Sequence, residues 1–64
     1  MKIAIELIRE SRNRQFYTVR ADEMLIATHV FAKPVAEMVA AAVTEYAKAH
    51  GEDAVLQPLR DAES

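Results

Sequence analysis

The sequence predicts an α+β fold: a three- or four-stranded, mainly antiparallel sheet carrying one helix, in the order βββα, with βββαβ left open. Three observations predict it. "IAIELI" at residues 3–8 alternates apolar and polar side chains as a half-buried strand does. "KPVAEMVAAAVTEYAKAHG" at 33–51 carries its apolar residues at helical spacing. Between them, "MLIATHVFA" at 24–32 is apolar on both faces, the pattern of a strand covered on both sides.

The first strand places Ile3, Ile5 and Leu7 on one face. "SRNR" then breaks the alternation. With a single glycine in the chain, Asn13 is the residue best suited to a left-handed turn position. "QFYTVRA" forms the second strand, with Tyr17, Val19 and Ala21 on one face and Phe16, Thr18 and Arg20 on the other. Asp22 and Glu23 make the next tight turn. In the third strand simple alternation sends Met24, Ile26 and Val30 one way and Leu25, Ala27, His29 and Phe31 the other.

The helix is expected over 34–50. Pro34 suits its first position, Glu37 sits in the opening turn, Lys48 and His50 occupy the closing turn, and Gly51 supplies the stop. Lys33 is a poor N-cap. Val35, Val39, Val43 and Tyr46, widened by Met38 and Ala42, form the stripe expected to face the sheet. Its many alanines favour a second packing partner as well as the helix itself. After Gly51, "AVLQPLR" at 54–60 reads as a short fourth strand that Pro58 confines to an edge.

Sixty-four residues make one domain, taken as 1–60 with an acidic tail "DAES" at 61–64. A core this small contributes only about 3–5 kcal/mol unless something staples it. The chain has no cysteine, so no disulfide and no thiolate metal site serves that purpose. A homodimer is the expected staple, with Leu25, Ala27, His29 and Phe31 as the second face to be packed. The longest apolar run, "MVAAAV", is far too short to span a bilayer, and "MKIAIELI" meets a glutamate before a signal-peptide core develops. The chain reads as cytoplasmic, with no membrane partner.

The span "IELIRESRNRQFYTVRADEMLIATHVFAKPVAEMVAAAV" resembles the repeat unit of the small bacterial YegP-like family, chiefly through "LIAT" at 25–28 and its place before the helix. It covers about two thirds of the chain. The family's turn glycines are replaced here by Asn13 and Asp22-Glu23, and its serine after Thr28 by His29. The resemblance implies a strand-rich fold and a tendency of units to pair. It implies no activity.

Charge is unevenly spread. Residues 1–20 hold five basic side chains against two acidic ones, and residues 21–64 hold three against eight. "RESRNRQFYTVR" at 9–20 concentrates Arg9, Arg12, Arg14, Tyr17 and Arg20, the candidate partner-binding residues. Three readings stand: the solvated end of a hairpin, a docking site for an acidic protein surface, and a nucleic-acid contact. The first two are favoured, because the helix is nearly free of basic residues, the pI is about 5.6, and Phe16 and Tyr17 fall on opposite strand faces.

No metal, cofactor or catalytic set is expected. His29 reads as a part-buried core histidine, and His50 before "GED" is explained by the helix dipole. Thr28 and His29, adjacent in a strand, are expected to point to opposite faces, out of reach of each other as nucleophile and base. One glycine excludes a Gly-rich phosphate loop. The functional expectation is a non-enzyme that binds a larger protein stoichiometrically, such as a phage-encoded inhibitor of bacterial defence of the anti-CRISPR kind. The alternatives are an accessory nucleic-acid-binding protein and a YegP-like structural module.

Overall fold

The computed structural model describes residues 1–10 and 14–63. Strands β1 (Ile3–Glu10), β2 (Arg14–Ala21) and β3 (Met24–Val30) form an antiparallel sheet in the order β1-β2-β3, followed by helices α1 (Lys33–His50) and α2 (Asp53–Glu63). The fold is α+β as expected, with a second helix. The turn assigned to Asn13 lies outside the described residues, as do Ser11 and Arg12.

β1 and β2 pair without a slip from Ile3 opposite Ala21 to Glu10 opposite Arg14. Ile3, Ile5, Leu7, Tyr17, Val19 and Ala21 therefore share one face, which α1 covers. Val19 and Ala21 on it are fully buried, and so is Ala36 of α1. The opposite face carries Ala4, Glu6, Ile8, Phe16, Thr18 and Arg20. The molecule measures 40 × 26 × 13 Å between Cα atoms. A thickness of 13 Å holds a sheet and one helical layer roughly 10 Å apart and leaves no space for a third layer. Both helices thus lie on one side, and the other side of the sheet is open.

The β2–β3 turn is Asp22-Glu23, with φ of 46° and 73°. Two positive φ values are what a two-residue hairpin with the native strand twist requires. Asp22 also closes the start of β1: its N–H donates to Lys2 O at 2.9 Å, and Lys2 N–H donates to Asp22 Oδ1 at 2.7 Å.

β3 departs from simple alternation. Its register against β2 shifts twice, and Ala27 comes to lie opposite Val19 while Leu25 lies opposite Arg20. Ala27 is therefore on the helix-covered face with Met24, and not with Leu25 as alternation predicts. Each shift inserts an unpaired residue, so parity is lost beyond it.

α1 begins one residue earlier than expected. Ala32 is its N-cap without a side-chain cap bond, Pro34 stands in the first turn, and Glu37 lies beyond it. Its end agrees with expectation, since Gly51 at φ 91° donates its N–H to Ala47 O at 2.8 Å. The face of α1 turned from solvent, toward the sheet and α2, is Ala36, Val39, Ala40, Val43, Thr44 and Ala47. Val35, Met38 and Tyr46 of the expected stripe lie in solvent, at 47%, 68% and 53% exposure.

Residues 54–60 are helical, which overturns the fourth strand. Val55, Leu56, Leu59 and Ala62 recur at helical spacing, and Leu56 is buried. Glu52 O accepts from Val55 and Leu56 N–H at 2.9 Å, opening the helix. Pro58 stands inside it, at the loss of one bond to Ala54 O. Asp61–Glu63, read as part of a tail, are the last turn of α2.

The Met1 ammonium donates to Glu52 Oε1 at 2.9 Å, tying the start of β1 to the α1–α2 junction. This hydrogen bond, reinforced by the charges of Glu52 and Asp22, holds the ammonium above its ordinary pKa. A pKa raised on folding contributes stability in full below the unfolded value of about 8, and that stability is lost as pH rises through the folded pKa. Glu52→Gln should therefore lower the urea midpoint at about pH 7 and leave it near wild type at about pH 10.

Candidate binding surface

The second register shift in β3 shapes the chemistry of the open sheet face. His29 sits there with φ of 57°, a left-handed conformation that costs a non-glycine residue roughly 1–2 kcal/mol. Its side chain is exposed, so the expected core histidine is not one. The same kink brings Thr28 and His29 together. Thr28 Oγ1 lies 3.2 Å from His29 Nδ1 and 3.0 Å from Thr18 Oγ1, where alternation predicts opposite faces. Thr18 is 3% exposed, and this bond satisfies its hydroxyl.

Aromatic rings gather beside this chain of hydroxyls. The Phe16 ring lies 5.2 Å from the His29 ring and 5.5 Å from that of Phe31, tilted by 49° and 59°. These are the separations of favourable aromatic pairs. Phe16 is buried beneath the other two, while Phe31, at the β3–α1 junction, is 83% exposed. Arg14 and Gln15 join Phe16 and Phe31 around a shallow depression. Leu25, 42% exposed, extends the apolar surface along the sheet.

The strands give this end its shape. β3 stops opposite Tyr17, so Ile8–Glu10 and Arg14–Phe16 project beyond it as a two-stranded arm. The arginines read as one binding set are thereby separated. Arg14 is exposed on the open face and Arg9 is exposed on the helix-covered side, while Arg12 lies outside the described residues. Tyr17 is half-buried on the helix-covered face between Leu7 and Val30. Arg20 lies near the far end of β2, where Nε donates to Glu6 Oε1 at 2.8 Å and Nη1 to Glu23 O at 3.1 Å. Among the described arginines of this set, Arg14 alone joins the aromatic cluster. Of the four residues expected to form the second face, Leu25, His29 and Phe31 are on the open side and Ala27 is not.

At the other end, the His50 ring packs on Tyr46 with centroids 4.4 Å apart, and Glu52 is engaged by Met1. Among the described residues no group of three or more histidines, aspartates and glutamates stands where it could hold a metal ion. Nor does any described helix have the length and apolarity to cross a membrane.

Comparison with protein-family models, with curated proteins and with solved structures gives no match. The reading of this surface therefore rests on its own geometry.

Proposed function

We propose that the chain is a non-catalytic binding module that docks its open sheet face and hairpin arm onto a larger cytoplasmic protein with an acidic surface. The observation that carries this is the exposed Phe31 ring, packed on Phe16 beside Arg14. A large aromatic side chain exposed to water and flanked by an arginine has the composition of an interface hot spot. The strain at His29 supports the same place: a glycine would relieve it, yet a histidine that shapes the cluster stands there. Arginine pairs bidentately with carboxylates, which directs the arm toward acidic partners. A small stoichiometric binder of this kind suits an inhibitor that occupies a site on its target, with phage-encoded inhibitors of bacterial defence, anti-CRISPR proteins among them, as the leading class.

The nucleic-acid reading gains one observation, the gathering of Phe16, His29 and Phe31 on an open sheet beside an arginine. Against it, Phe16 offers no free ring face and the net charge is −2. A YegP-like structural module is supported by the βββα order alone.

Capture from host lysate separates these readings. The wild type should retain one protein at near-equal amount, and Arg14→Glu combined with Phe31→Ala should lose it. Retention that nuclease abolishes, and that falls steeply with salt, would establish the nucleic-acid reading instead. Equal retention by the double variant would remove the arm and cluster from the binding site.

A further inference from the structure

On the side of the molecule away from the open sheet face, α1 exposes a second apolar feature. Val35, Met38, Ala42, Tyr46 and Ala49 are all exposed and lie along one line of the helix. Their spacing is three, four, four and three residues, which keeps them on one face at about 3.5 residues per turn. That spacing is a palindrome about Ala42. We propose that this ridge is a homodimer interface in which α1 of a second copy packs antiparallel on it, with the two-fold axis at Ala42.

A palindromic ridge is self-complementary in one arrangement. With the axis at Ala42, Met38 of one copy faces Tyr46 of the other, Val35 faces Ala49, and the two Ala42 residues meet at the point of closest approach. Large side chains thus oppose small or flat ones, as an isologous contact requires. The ends match electrically as well. The two helix dipoles run antiparallel, each positive end beside the negative end of the other.

The surface of the whole chain, to which this ridge, the open sheet face and the hairpin arm all contribute, leaves room for such a contact. A compact monomer of this mass exposes about 4,100 Å², whereas this chain exposes 4712 Å². The surplus of roughly 600 Å² is close to what each partner of a modest stable interface buries. The Cα radius of gyration is 12.4 Å, against about 11 Å for a compact chain of this length. The dimer leaves the two open sheet faces pointing outward, so it presents two copies of the Phe31 surface.

The chain has no cysteine, so a single introduced thiol reports its own surroundings. Ala42→Cys treated with a short bismaleimide should give a linked dimer at concentrations where Leu25→Cys, on the open face, gives none. In sedimentation over a concentration series the wild type should dimerise, and Ala42→Glu should weaken that at least about 100-fold while keeping its circular dichroism. A wild type that stays monomeric at every concentration overturns the proposal. So does cross-linking through Leu25→Cys in place of Ala42→Cys, or an Ala42→Glu protein that dimerises like wild type. Should Ala42→Glu fail to fold, the cross-linking contrast decides alone.

Discussion

Val19→Asp should leave no folded protein at any urea concentration, and Val19→Ala should move the urea midpoint to roughly half its wild-type value. Val19 is fully buried, lies in the central strand between Ile5 and Ala27, and is covered by α1. Of the six buried apolar residues among those described, three are alanines, Ala21, Ala36 and Ala47, which contribute little apolar area. A core so thin has few side chains among which to share a loss. Truncating a buried aliphatic residue costs on the order of 1–3 kcal/mol through lost transfer energy and the cavity left behind, against a total near 3–5 kcal/mol for a domain of this size. An aspartate there must bury a charge or a protonated carboxyl with no partner, which exceeds the whole stability. Equilibrium unfolding at one fixed protein concentration checks this, since self-association would add a concentration-dependent term. Glu37→Ala, on the exposed side of α1, serves as the control and should stay within about 0.5 kcal/mol of wild type. A Val19→Ala protein as stable as that control would show that the fold's stability lies elsewhere.

The elements that obeyed a simple period were legible in the sequence. β1 alternates through Ile3, Ile5 and Leu7, β2 alternates from Phe16, and the Asp22-Glu23 turn lies where two apolar runs meet. α1 announces its end through Lys48, His50 and Gly51. β3 was legible as a strand but not in its register. An apolar run on both faces contains no mark of where an extra residue is inserted, so alternation misplaces Ala27 and Thr28 at the bulges, while His29 returns to the face it shares with Leu25 and Phe31. α2 was missed for a different reason. Within residues 54–60 Pro58 is compatible with an edge strand, and the apolar set completes its helical pattern only at Ala62.

The binding residues show how sequence proximity misleads. Arg9 and Arg14 are five positions apart and fall on opposite sides of the hairpin, and Arg14 and Arg20 are separated by about 20 Å of strand. The cluster that does form joins Phe16 of β2 to His29 and Phe31, more than a dozen residues later. Cross-strand pairing makes that connection, and it depends on a register the bulges had hidden.

Phe31→Ala should weaken partner binding by roughly 30- to 1,000-fold and leave stability within about 1 kcal/mol of wild type. The two halves of that expectation have one cause. Phe31 is 83% exposed, so the folded chain gains little from its ring beyond the edge contact with Phe16. The ring's apolar area is removed from water only when a partner covers it, and the free energy of that burial therefore appears in affinity. The chain has no tryptophan, so Phe31→Trp supplies a spectroscopic probe at the same place. Its emission should shift to the blue when the partner recovered by capture is added, and the shift should be smaller once Arg14 is also replaced by glutamate. Titration of Phe31→Ala against that partner checks the affinity. Wild-type affinity in Phe31→Ala, with unshifted emission in Phe31→Trp, would place the contact off the open sheet face.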